Sequence, residues 1–415
     1  MNTAVATKTE YIHPKLNRFI LNVKPSPTLA AAGRARELIK AGRDIVSFTV
    51  GEPDFDTPEH IKKAAAEAMA KGFTKYTAVD GIPVLKEVIQ QKLKEDQALQ
   101  FAPAEIIVTN GGKQGLAATF AVLLNEGDEV VIPSPYWTSY PDMVSLAGGH
   151  SVIVETTPQS GYLMTPEQLK RACNAKTKAI VINSPSNPTG AAYSGEQLRA
   201  LAEAFLELPN WRDIMIISDE VYEYFTYGDF KHYSILQVAP ELRSQVVISS
   251  SFSKCYSMTG WRVGFAAGPR WLIDALSVHQ SQFTTNVCSI AQYAAAAAYT
   301  DGREFPRMMR DEFSKRYELV LSAVNSIPGL SLPTAPLGAF YAFVRIEELL
   351  GKRNGDVEIR SAQDFTNYLL ERYDVASVQG EAFGDPKGFR LSYALSRQQI
   401  EKGMERIAKA VASLG

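Results

Sequence analysis

The chain has 415 residues, enough for a large core and two domains. Hydrophobic residues make up 46% and charged residues 21%, the balance of an ordinary globular protein. A net charge of −2 gives no electrostatic case for a nucleic-acid or membrane-surface partner.

Residues 1–20 mix charge and polarity without a clear period and are expected to form an arm. GRDIVSFTVGEPDFDTP, from Gly42 to Pro58, predicts a short strand and a turn-rich loop. From Pro58 to Gly72 the pattern predicts a helix, with proline at its start and glycine at its end. From about residue 100, short apolar runs alternate with longer helical patterns. The runs are IIVT (106–109), EVVIP (129–133), SVIV (151–154), AIVIN (179–183), IMIIS (214–218), VVISS (246–250) and VGFAA (263–267). Most are apolar at consecutive positions, so both faces should be buried. That predicts an α/β fold with a mainly parallel sheet covered by helices. Asn110, Ser134, Asn183, Asp219 and Ser251 end or follow these runs. Ligands of open α/β sheets bind beyond the carboxyl ends of the strands, so these loops are expected to share one site. The alanine run at 294–298 predicts a packed helix. Beyond about 303, DEFSKRYELVLSAVNSI predicts a long helix, and GAFYAFVRI and GFRLSYA fall among the mixed elements of a smaller domain.

Cys173, Cys255 and Cys288 are too few and too scattered for a disulfide framework, which fits a reducing compartment. The five histidines do not pair at metal-ligand spacing, so no metal is expected. MNTAVATKTEYIHPK has no apolar signal core, and no apolar run approaches the ~18 residues of a membrane span. A cytoplasmic location is expected.

The stretch SFSKCYSMTGWRVGF, from Ser251, concentrates Ser251, Ser253, Lys254 and Arg262 without a negative charge among the four. That composition suits a bound anion. Lys254 follows a buried strand, the position of a Schiff-base lysine whose amine must be desolvated to be nucleophilic. Pyridoxal phosphate needs such a lysine, a phosphate cup and an acid for its ring nitrogen. IIVTNGGKQGLAATF reads strand, glycine turn, helix, so Gly111, Gly112 and Lys113 would offer backbone N–H groups at a helix N-terminus. Ser251, Ser253 and Arg262 would add hydroxyl donors and a forked cation. Asp219, in IMIISDEVYEY, fits a helix cap as well as a cofactor acid. Tyr222 would lie one helical turn further on, as a packed aromatic or as a donor to the same ligand. Asn187, in NSPSNPTGAAY, sits in a Pro/Gly-fixed turn. Trp137, in SPYWTSY, is either core or a flat face for a flat ligand.

Taken together, SFSK…MTGWRVGF, NSPSNPTG, SDEVYE, TNGGKQ, GEPDFDTP and FRLSYA resemble the class I aminotransferases, fold type I pyridoxal-phosphate enzymes. The motifs stand in the family's order from about residue 20 to the end. KPSPTLA and TKYTAVDGIP are similar to the bacterial-type aspartate aminotransferase branch. The resemblance implies a large cofactor-binding domain (59–318) with a mainly parallel seven-stranded sheet. It also implies a smaller α/β domain built from both chain ends (21–58 and 319–415). Lys254 matches the lysine that forms the cofactor aldimine and shuttles a proton. Asp219 matches the partner of the ring nitrogen, Tyr222 and Asn187 the partners of the phenolic oxygen, and Trp137 the stacking ring. Gly112, Lys113, Ser251, Ser253 and Arg262 match the phosphate cup. Tyr76 matches a tyrosine reaching the phosphate in a neighbouring subunit, which implies a homodimer. Arg390 matches the arginine that grips the substrate carboxylate, assisted by Gly51 and Asn187.

The implied reaction moves the amino group of L-aspartate to 2-oxoglutarate by a ping-pong mechanism. An aromatic amino acid or prephenate is the alternative substrate, and C–S lyase chemistry a more distant one. A dicarboxylic substrate needs a second anion-binding group. VHQSQFTTNV offers Gln280 and Gln282 but no arginine, leaving Lys24, Ser26 and Thr28 as candidates. Ser251-Phe-Ser-Lys254 also fits the Ser-x-x-Lys of penicillin-recognising enzymes, but Lys-Thr-Gly and Ser-Asp-Asn do not occur. A ligand-sensing regulator would need a DNA-binding segment, and no basic segment precedes residue 20.

Overall fold

The computed structural model describes residues 15–300 and 303–415. Of the expected arm, residues 1–14 lie outside the described residues, and Arg18–Leu21 forms a single helical turn capped by the Asn17 side chain.

Each of the seven apolar runs becomes a strand of one sheet. They are β1 (Ile106–Thr109), β2 (Glu129–Ser134), β3 (His150–Glu155), β4 (Thr177–Asn183), β5 (Met215–Asp219), β6 (Val246–Ser251) and β7 (Gly264–Ala267). The spatial order is β1-β7-β6-β5-β4-β2-β3. The pairs β2–β3, β2–β4, β4–β5 and β5–β6 are parallel, whereas β7 runs antiparallel to both β1 and β6. Consecutive apolar residues are explained by what each face meets. Ile180, Ile182, Ile216 and Ile248 pack into one cluster, while Ala179, Val181, Ile217 and Val247 pack into another. Successive side chains of one strand point to opposite faces, so a strand covered on both sides must be apolar at every position.

The helix expected from residue 58 spans Glu59–Ala70, and Gly72 follows with φ +75°. The alanine run lies within Ser289–Thr300, where Ala294, Ala295 and Ala298 are fully buried. The long helix begins earlier than expected and spans Glu304–Ser326.

A separate apolar cluster joins the two ends of the chain. Val46 and Phe48 pack with Phe313, Val320, Phe389 and Ile400. Val46–Ser47 is a two-residue strand, shorter than the expected segment, pairing in parallel with Val375–Ala376. Beside it, β8 (Tyr341–Arg345), β9 (Val378–Gln379) and β10 (Gly388–Ser392) form an antiparallel sheet in the order β9-β10-β8. Arg390 and Tyr341 are therefore carried by adjacent strands. Among the described residues, no helix is long and apolar enough to cross a membrane.

Candidate active site

The strand register assembles the site. Asn183 at the end of β4 lies opposite Asp219, Asp219 opposite Ser249, and Ser251 at the end of β6 opposite Gly264. Past these ends opens a cavity of about 390 Å³. Gly51, Gly112, Lys113, Trp137, Asn187, Asp219, Tyr222, Ser251, Ser253, Lys254, Arg262 and Arg390 all line it. Of the cofactor- and substrate-binding residues that the family resemblance implies, Tyr76 is the one absent from that wall, and it is 86% exposed.

One end of the cavity is cationic. The helix Gly112–Leu123 starts there, with Gly111 before it at φ +77°. Its first N–H groups have no partner within the helix. Arg262 adopts a left-handed backbone, φ +58°, rare for a residue with a side chain. Its guanidinium donates to the carbonyls of Thr259, at 2.7 Å, and Asn110, at 3.3 Å. Among the described residues no carboxylate pairs with it. The Lys113 Nζ lies 4.9 Å from the centre of the Trp137 ring, and burial and the nearby Arg262 pull its ammonium down. The Ser251 Oγ accepts from the Ser253 N–H at 3.3 Å. Two cations, a helix N-terminus and two serines together make an anion cradle.

At the acidic end, Asp219 is 5% exposed. Its Oδ2 accepts from the Tyr140 hydroxyl at 2.6 Å, and its Oδ1 from the Val221 N–H at 3.4 Å. Burial raises its carboxyl to about 6, against which those two donors work. The Tyr222 and Tyr341 hydroxyls are 2.8 Å apart. Gly51 fits beside them because it lacks a side chain: a Cβ there would lie 2.1 Å from the Tyr341 oxygen.

Between these ends, the Lys254 Nζ donates to the Gly51 carbonyl at 2.5 Å. Burial draws its ammonium from 10.5 down to about 8, with Arg262 and Arg390 helping and Glu52 and Asp219 opposing. The lysine is thus close to proton exchange at neutral pH.

Arg390 is 2% exposed yet has no carboxylate partner among the described residues. It donates to the Asn187 Oδ1 at 2.9 Å and to the Thr49 carbonyl at 2.6 Å. Its guanidinium carbon lies 4.7 Å and 5.0 Å from the ring centres of Tyr341 and Phe383. Its Nε is buried without a hydrogen-bond partner among the described residues. A buried cation costs several kcal/mol unless an anion arrives. The arrangement suits a carboxylate ligand.

Of the segment considered for a distal carboxylate, Ser26 and Thr28 line the cavity, whereas Lys24 does not. The Gln280 amide is occupied elsewhere, donating to the carbonyls of Val79 and Val108 at 2.7 and 3.0 Å. Sequence reasoning missed Tyr140 and Tyr341, and it placed Asn183 at the site without giving it a role. Asn183 donates to the Asp219 carbonyl at 3.0 Å and accepts from the Asn187 N–H at 2.9 Å. The only local signal was Asn183's position at a strand end.

Behind the acid, Glu220, Glu223 and His232 bring potential ligand atoms within 4.8 Å of one another. Those carboxylates are already engaged by Lys92, Gln97, Ser218, Ser234 and Ser250. The group is a buried ion-pair network that ties the Pro83–Gln97 helix to the ends of β5 and β6.

Comparison with known proteins matches residues 43–407 to the family described as aminotransferase class I and II. An aspartate aminotransferase of Geobacillus stearothermophilus is 47% identical, covering 95% of this chain and 98% of its own length. An aspartate/prephenate aminotransferase of Cereibacter sphaeroides is 45% identical, covering 96% and 99%. Among solved structures, the aspartate aminotransferase from Rhizobium meliloti superposes with a TM-score of 0.93 at 40% identity, covering 97% of this chain and 100% of that one.

Proposed function

The chain belongs to the class I and II aminotransferases and is a transaminase, and on that premise we propose that it transfers the amino group of L-aspartate to 2-oxoglutarate. Pyridoxal 5′-phosphate is the proposed cofactor, and the two substrates react in turn. The observation that carries this reading is one cavity holding a lysine of lowered basicity, Lys254, and a buried guanidinium, Arg390, that has no carboxylate partner among the described residues.

The cavity fits the cofactor at both ends. Arg262, Lys113 and the N-terminus of the 112–123 helix await an anion, and the buried Asp219 awaits a cationic partner. When bound, pyridoxal phosphate supplies a conjugated ring that accepts electrons from the substrate's α-carbon. Gly112, Lys113, Ser251, Ser253 and Arg262 would hold its phosphate. Asp219 would hold its ring nitrogen, Tyr222 and Asn187 its phenolic oxygen, and Trp137 one face.

Arg390 receives the substrate carboxylate in a fork and fixes the amino acid's orientation, with Asn187 and Gly51 beside it. Lys254 takes the proton from the substrate's α-carbon and would deliver it to the carbon on the other side of the C=N bond, the shift that amino transfer requires. An amine whose pKa lies near 8 can do both at neutral pH. Ser26 and Thr28 offer hydroxyls to a distal carboxylate from the same wall. The Cereibacter relative's name supports a second reading, in which prephenate is the amino acceptor.

The test is the absorption spectrum of the purified protein supplied with pyridoxal phosphate. A visible band should bleach with L-aspartate and return with 2-oxoglutarate. Bleaching with L-phenylalanine alone would move the donor class, and return with prephenate alone would move the acceptor. No band at all would overturn the reading.

A further inference from the structure

We propose that Tyr140 is a positioning residue for the reaction: its hydroxyl holds the Asp219 carboxylate oriented and ionised toward the ring nitrogen of the bound cofactor. This rests on the pyridoxal-phosphate reading above.

Asp219 ends β5, and strand pairing with Asn183 and Ser249 fixes its backbone but not its carboxyl rotation. Among the described residues, two donors reach the carboxylate. The Val221 N–H is distant at 3.4 Å, and the Tyr140 hydroxyl is close at 2.6 Å. An ionised carboxylate accepts only, so the phenol is the donor. Burial raises the phenol well above its ordinary range, so it keeps its proton at working pH. A short donor to a buried carboxylate favours the charged form, against the burial that pushes Asp219 up to about 6. Without that donor, Asp219 would offer less negative charge at neutral pH and could turn away.

Tyr140 also sets a second contact. Its ring meets that of Trp137 edge-on, with centroids 5.2 Å apart and planes at 86°. The two residues flank the start of the Ser139–Leu146 helix. A single chain turn thus aligns the flat wall of the cavity with the acid at its end. The competing account is that Tyr140, 1% exposed, is simply a packed aromatic of the sheet face. That account gives the hydroxyl no role in the chemistry.

The experiment uses the holoenzyme and its Tyr140→Phe variant, which keeps the ring and loses the hydroxyl. The pKa of the visible band should rise by roughly one unit, because a less positive ring withdraws less charge from the nitrogen of Lys254. The kcat should fall about 10- to 100-fold while KM for L-aspartate moves less than about threefold, as expected for loss of a charge-assisted hydrogen bond. In an Asp219→Asn background the same change should cost less than about twofold, since Tyr140 acts through that carboxylate. An unshifted band would overturn the proposal. So would an equal loss in both backgrounds. If Tyr140→Phe does not fold, 3-fluorotyrosine at position 140, a stronger donor, should shift the band downward, and no shift would overturn the assignment. Failure of the cofactor reading is distinguishable, because the unsubstituted protein would then show no band.

Discussion

Lys254 is destabilising in the resting fold for the same reason that it is reactive. Folded, it loses its proton near pH 8; unfolded, near 10.5. Between those values the unfolded chain binds more protons, so this residue's contribution to stability rises with pH. Lys254→Met should therefore stabilise the cofactor-free protein at pH 7, by up to about 3 kcal/mol. The gain should fade between pH 8 and 10.5, as urea unfolding at a series of pH values would show. Turnover of the same variant should fall at least about 10³-fold. Equal stability of variant and parent at all pH values would mean that Lys254 is solvated. Arg390→Ala should weaken every amino-acid substrate, by about 2–5 kcal/mol in kcat/KM, since the fork meets the carboxylate common to all. A loss confined to dicarboxylates would place Arg390 at the distal group instead. Lys254 was legible because a lysine after a buried strand is unusual. Tyr140 was not, since its partner lies 79 residues away and packing alone brings them together.

At the scale of elements, the anion cradle depends on how closely β7 approaches the turn before the 112–123 helix. A Cβ on Gly264 would lie 2.7 Å from the Gly112 nitrogen and 2.8 Å from the Ser250 carbonyl oxygen. Both atoms are backbone and cannot swing aside. Gly264→Ala should push β7 away from that turn, at a cost of about 1–3 kcal/mol. It should also weaken cofactor binding more than Ala substitution of an open glycine such as Gly33, where the nearest contact of a Cβ would be the tip of the Arg36 side chain at 3.9 Å. Thermal unfolding and cofactor titration would measure the two effects. The inner strands were readable to within two residues because double-sided burial leaves a continuous apolar run, whereas the edge strand β3 carries the same kind of run although Ile153 is 38% exposed. The long helix was read short. Pro306 stands in its first turn, where a missing N–H costs nothing, but a local reading treats proline as a break. The strand Val46–Ser47 is defined by pairing with Val375–Ala376, a partner no local pattern could indicate.

At the scale of the whole molecule, one expected site residue has no work to do within a single chain. Tyr76 is 86% exposed and absent from the cavity wall. It stands between Phe73, 40% exposed, and the start of the Pro83–Gln97 helix. Apolar groups left this open fit contact with a second copy. We expect the protein to form a homodimer in which Tyr76 of each chain reaches the other's phosphate. Two inactive variants test this better than one. Tyr76→Ala should bind the cofactor less tightly and turn over slowly, and Lys254→Ala should not turn over at all. Unfolded together in equal amounts and refolded, the two chains should assort at random, so that half of the dimers are mixed. If Tyr76 acts across the dimer, each mixed dimer has one intact site, with Lys254 from one chain and Tyr76 from its partner. Activity should then recover to about a quarter of the unsubstituted protein's. If Tyr76 acts within its own chain, every site keeps a defect. Activity would not exceed the average of the two variants refolded alone, and the assignment across the dimer would fail.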